Sequence, residues 1–214
     1  MTTDPRDELA LAARVLAHHG LVTAFGHVSV RDGDRVLVTM PIAPARMTAG
    51  AVVDVDLAAD VLPTGAAPET WAHLAVYRAR PDVAAVARAQ PEAAFAAAAV
   101  STELAPLHGQ AAWLGRRVPV HEPARLLRDP DLAAAAARTL GDADAVLLRG
   151  NGALTVGSSP GVAVARMWLL EAACRVRLAT AGHTPRPLDD DEVDAWRAAG
   201  PPLLERLWHH LASP

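Results

Sequence analysis

The chain has 214 residues, 20 basic and 24 acidic side chains, a formal net charge of −4 and 51% hydrophobic residues. Every basic residue is an arginine, which excludes lysine Schiff-base chemistry, lysine-anchored pyridoxal phosphate and a Walker-type phosphate loop. The acidic balance, scattered arginines and 4% aromatic content argue against a nucleic-acid partner.

Asp7 to His19 reads as an amphipathic helix closed by Gly20. The preceding residues do not resemble a signal peptide. Val28–Arg31 and Arg35–Thr39 alternate around Asp32-Gly33-Asp34, a β-hairpin pattern. Met40 to Gly50 is expected to be a loop and Val52 to Leu57 a short strand. Pro68 suits the first position of a helix in which Trp71, Leu74, Ala75 and Ala79 recur at helical spacing, with Glu69, His73 and Tyr77 on a neighbouring stripe. Arg80-Pro81-Asp82 breaks that helix, and Val83 to Gln90 follows as an apolar strand with Arg88 and Gln90 pointing the same way. Pro91 opens an Ala-rich helix to Val100. Polar side chains at the carboxyl end of a strand, facing a helix start, are where open α/β sheets hold ligands; an ordinary helix–strand–helix unit accounts for the local pattern equally well.

A polar loop follows Val100, and the geometry of Leu107-His108-Gly109-Gln110 is not legible. Val118 to His121 reads as a strand, and Asp129-Pro130 caps a helix ending at Gly141. Two strands, Ala145–Arg149 and Ala153–Val156, flank the tight turn Gly150-Asn151-Gly152. Ser159-Pro160 starts a long helix to Ala181, which carries the lone Cys174 in an apolar setting. A single cysteine makes no internal disulfide, and the Ala-rich runs are too interrupted to span a bilayer, so a soluble cytoplasmic protein is expected. Glu192 to Leu211 is a final helical region expected to be interrupted at Gly200-Pro201-Pro202. His18-His19 and His209-His210 are expected to face solvent. With no linker dividing it, residues 1–214 read as one domain, with 186–214 a C-terminal helical extension whose Trp196 and Trp208 could pack an interface.

Three segments together resemble the class II aldolase/adducin family over roughly residues 7 to 185: the Gly26-His27-Val28-Ser29 turn, the Glu69-x-x-x-His73 helix with its following HLAVYRARPDV run, and the Val146–Glu171 strand, turn and helix around Asn151. The resemblance implies an α/β/α sandwich around a central, mostly antiparallel mixed sheet, a homotetramer, and active sites near subunit interfaces. It also implies a catalytic acid/base at Glu69. The family's metal-binding histidines correspond to Arg88, Gln90 and Asn151, of which Arg has no lone pair and the amides are weak donors. No metal ligand or other cofactor is therefore expected, the alternative being a divalent metal such as zinc on relocated histidines from His27, His73, His108 and His121. Ala67-Pro68 and His27 stand where the aldolases grip a phosphate, so a non-phosphorylated substrate is expected.

Arg88 offers a fork suited to a carboxylate, or equally a structural ion pair with Glu69. His73 either orients Glu69 or packs in the helix, and Asn151 either fills a turn or aims its amide at a substrate oxygen. The expected activity is a lyase acting on a small carboxylate-bearing substrate, by decarboxylation or retro-aldol cleavage. Glu69 and His73 would be catalytic, and Gly26, His27, Ser29, Arg88, Gln90 and Asn151 would bind substrate. A non-catalytic scaffold on the same fold and a rearranged metalloenzyme are the alternatives.

Overall fold

The computed structural model describes residues 4–213. Eight strands form one sheet in the order β3-β2-β1-β4-β8-β7-β6-β5. They are β1 His27–Asp32, β2 Arg35–Thr39, β3 Val52–Asp56, β4 Ala85–Ala89, β5 Glu103–Leu104, β6 Val118–His121, β7 Ala145–Leu148 and β8 Gly152–Gly157. Only β6 and β7 pair in parallel; every other neighbouring pair is antiparallel. The helices are α1 Pro5–His18, α2 Thr70–Ala79, α3 Glu92–Val100, α4 Pro130–Leu140, α5 Pro160–Ala179 and α6 Asp190–Leu211.

The pleat sorts residues into two cores. Val28, Ala85, Ala87, Leu147 and Ala153 face a layer containing α1, α3, α5 and part of α6. Val36, Val38, Val86, Leu148 and Leu154 face α2 and α4. The result is the expected α/β/α sandwich.

Several local expectations change. Pro68 is not the first residue of α2: the helix begins at Thr70 with Glu69 at the N-cap, because Pro68 and Glu69 form the tight turn that leads into it. Pro91, by contrast, opens α3 as expected, at the N-cap of a helix that runs Glu92–Val100. The segment after Val100 contains β5, and Gly109–Leu114 forms a 3₁₀ helix. The last helix is not interrupted: α6 runs through Pro201 and Pro202. Gly200 lies directly against Trp113, where an added Cβ would come within 2.9 Å of the indole, so packing holds the helix where its own hydrogen bonds are lost. Trp208 is buried within the chain against Gly161, and His19 Nε2 lies 3.0 Å from the Leu211 carbonyl oxygen instead of facing water. Among the described residues no helix is long and apolar enough to cross a membrane.

Candidate active site

β1 and β4 pair antiparallel with His27 directly opposite Arg88. Since Val28 and Ala87 face the α1/α5 layer, His27, Ser29 and Arg88 project from the other face, towards α2. The stripe Glu69, His73, Tyr77 on α2 faces them, and its polar atoms find partners there. Ser29 Oγ is hydrogen-bonded to His73 Nδ1 (2.7 Å) and to Tyr77 Oη (2.8 Å), and all three side chains are buried. Burial, then the nearby His27 and Arg88, hold the His73 imidazole well below its ordinary range, so it is neutral. Gly26 precedes β1 with φ 153°, and an added Cβ would sit 2.6 Å from Val22 Cγ1 and 3.2 Å from the Arg88 carbonyl oxygen. Its role is this close approach, which lets the loop pass over the end of β4.

Arg88 is 2% exposed. One terminal nitrogen, Nη2, donates to Asn151 Oδ1 (2.6 Å), while Nε is buried without a partner among the described residues. Burial pushes the guanidinium down from its usual value, opposed by the Glu69 carboxylate, yet a guanidinium stays protonated. Asn151 turns its other end away from the cleft: Nδ2 donates to the Arg125 carbonyl (3.1 Å). The Gly150-Asn151-Gly152 turn therefore holds Arg88 and the 122–129 segment together. Gly152 has φ 89°, and a side chain there would collide with the Ala89 carbonyl.

Glu69 is 7% exposed, and its partner is Arg128, not Arg88: Arg128 Nε donates to Glu69 Oε1 (2.7 Å). Burial pushes the Glu69 carboxyl up, but the Arg128 hydrogen bond, a hydrogen bond from its own backbone, and the charges of Arg128 and Arg88 together bring it below the ordinary carboxylate value. Glu69 is thus ionised at neutral pH. His27, 6% exposed, is pushed down to about 4 by burial and then by the Arg88 charge, against the opposing pull of Glu69. It is a neutral imidazole whose Nδ1 has no partner among the described residues.

These groups line a cleft of about 370 Å³: His27, Glu69, Arg88, Gln90 and Arg128 are its polar side chains, and Phe25, Ile42 and Leu126 form an apolar lip. Phe25 is 66% exposed there. A larger cleft of about 490 Å³ lies between β8, α5 and α6, but its Arg80, Asp144 and Arg166 are already engaged, by one another or by backbone carbonyls. Unpartnered buried polar atoms concentrate instead around the first cleft, at His27, Thr70, His73 and Arg88.

Of the residues singled out from sequence, Gly26, His27, Glu69, Arg88 and Gln90 meet in the cleft. Ser29 and His73 lie beneath it as a buried pair, and Asn151 braces Arg88 from behind. Sequence patterning does not single out Arg128; it sits in an irregular segment without periodicity, and only the neighbouring Asp129, the N-cap of α4, marks the place. The divalent metal that the family resemblance implies does not fit these residues. Arg88 donates only, and the Asn151 amide oxygen already accepts from it. Nor do His27, His73, His108 and His121 assemble elsewhere: among the described residues no group of three His, Cys, Asp or Glu could hold a metal ion. His121 is instead bonded through Nδ1 to Thr139.

An antiparallel-dominated sheet between two helical layers, with a polar cleft where β1, β4 and α2 converge, defines an aldolase-type α/β/α protein. The chain belongs to the class II aldolase and adducin N-terminal domain family, whose profile matches residues 7–178. It is 32% identical to a 3,4-dihydroxyphthalate decarboxylase of Arthrobacter keyseri, over 96% of this chain and 91% of that protein. In structure it resembles an L-fuculose 1-phosphate aldolase (TM-score 0.84, 24% identity, 93% of this chain and 97% of that one). A second such aldolase, from Thermus thermophilus, superposes with a TM-score of 0.77 at 28% identity, over 86% of this chain and all (100%) of the other.

Proposed function

We propose that this protein is a carbon–carbon lyase that decarboxylates a hydroxylated aromatic carboxylic acid, and that it does so without a divalent metal. The observation that carries this reading is the buried, incompletely partnered Arg88 guanidinium beside an ionised Glu69, in a cleft whose lip is apolar. The decarboxylase activity of the Arthrobacter relative supports the reaction class.

Decarboxylation moves charge off the departing carboxylate and into the ring, so a fixed cation helps most where that charge arrives. With the ring against Phe25, Ile42 and Leu126, Arg88 faces the oxygen of a hydroxyl next to the departing group. Glu69 takes the hydroxyl proton and returns it to the carbon that carries the carboxylate. The carbon–carbon bond then breaks, its electron pair restores the aromatic ring, and CO₂ leaves. The negative charge ends on the hydroxyl oxygen, held by Arg88 and by the neutral His27 as hydrogen-bond donor, until solvent reprotonates it. His27 suits this role because it donates without competing for the proton.

The test is CO₂ release from 3,4-dihydroxyphthalate by protein dialysed against chelator, with elemental analysis of the same sample. Activity persisting at less than a stoichiometric trace of metal is expected. Loss of activity that zinc, manganese or magnesium restores would overturn the metal-free chemistry. Glu69→Gln should lower turnover by roughly 10²–10⁴-fold while leaving the circular dichroism unchanged; an active variant would remove Glu69 from its role.

A further inference from the structure

Arg128 has an arrangement that a surface ion pair does not require. Its side chain is 54% exposed, whereas the carboxylate it holds belongs to a buried residue. Only Nε is engaged; the two terminal nitrogens have no partner among the described residues. The backbone around it is fixed on both sides: Leu127 is 1% exposed in the α2/α4 core, and Asp129 caps α4 by accepting from Leu132 N (2.9 Å). The 122–129 segment is held further by the bond from Asn151 to the Arg125 carbonyl. A guanidinium anchored at Nε presents its outer fork in one direction, and Arg128 lines the cleft beside Glu69.

We propose that Arg128 binds a second carboxylate of the substrate, the one retained in the product, and so makes the cleft selective for aromatic dicarboxylic acids. The inference rests on the reading of this cleft as a decarboxylase site. The polar side chains of the cleft sum to one positive charge, from Arg88 and Arg128 against Glu69, with His27 neutral. A substrate whose departing carboxylate loses its charge as CO₂ still needs a handle that persists through the reaction. Arg128 supplies it, and because the same guanidinium holds Glu69, the retained carboxylate and the base are registered against each other across one planar group. Arg88 is thereby left for the oxygen on which charge develops.

Two probes that differ by one carboxylate test this: 3,4-dihydroxybenzoate and catechol, titrated calorimetrically into the protein. Arg128→Met should weaken 3,4-dihydroxybenzoate about tenfold, close to 1.4 kcal/mol, and change catechol by less than about twofold. Arg128→Lys should recover part of the benzoate affinity, since it restores the charge without the fork. Equal losses for both probes, or benzoate binding within about twofold of wild type, would overturn the assignment while leaving the decarboxylase reading standing. Wild-type protein that binds neither probe would overturn both.

Discussion

A histidine that is neutral because it is buried ties the cleft to the stability of the fold. His27 titrates at about 4 in the folded protein against 6.5 in an exposed chain. Between those values the unfolded state binds a proton that the folded state does not, so stability rises with pH through this window. The contribution is complete above about pH 6.5 and is lost as the pH falls towards 4. A shift of this size corresponds to about 3 kcal/mol. His73, lowered in the same direction, adds to the slope. Urea midpoints should therefore decline from pH 6.5 to pH 4, and His27→Gln should flatten part of the decline. Parallel slopes in the two proteins would mean that the acid sensitivity arises elsewhere. That His27 and Glu69 are candidate site residues was visible in the sequence, and both line the cleft. The sign of the Glu69 shift was not, because it depends on Arg128, 59 positions away and brought close only by the fold.

Among the elements, α3 depends on a distant cap. Its N-cap residue is Pro91, which has no side chain able to accept from the first turn. The carboxylate of Glu171, buried in α5, replaces it by accepting from Ala93 N (3.0 Å) and Ala94 N (3.2 Å). The arrangement fixes the β4–α3 junction that carries Gln90, and it places an anion at the positive end of the helix. Glu171→Ala leaves two buried amides without acceptors and should cost about 1–3 kcal/mol in thermal or urea unfolding. Glu171→Gln keeps one acceptor oxygen and should cost less; equal losses would mean that charge, not hydrogen bonding, matters. Arg175 also contacts Glu171, but at 74% side-chain exposure it adds little. Elements with a strong internal signal were readable from the sequence: the β1–β2 hairpin through its alternation and Asp-Gly turn, α4 through its Asp-Pro start and Gly stop. β5, only Glu103 and Leu104, is too short to show a period, and exists because β6 offers it an edge. The continuity of α6 through two prolines was hidden for the opposite reason: local chemistry says stop, and tertiary packing overrides it.

Across the whole molecule, that packing makes α6 part of the α1/α3/α5 layer. Leu204, Trp208 and Leu211 belong to its apolar cluster, and Trp113 Nε1 donates to the Trp196 carbonyl (2.7 Å) from the 3₁₀ helix. Gly161, in the first turn of α5, is the close-approach position: a Cβ there would lie 2.5 Å from Trp208 Nε1. Glycine is used here for space, and the indole fills the space that it leaves. Removing the indole should leave a cavity that two helices cannot close, because α5 is also held by the sheet through β4 and β8. Trp208→Ala is therefore expected to destabilise by about 3–5 kcal/mol. In a chain of this length that corresponds to a fall in Tm of roughly 6–20 °C. The expected trace is a single cooperative transition at lower temperature, since the indole belongs to the same core as the sheet. A separate early transition, with the cleft still binding 3,4-dihydroxybenzoate above it, would show instead that α6 melts alone and that the sheet and its site stand without it.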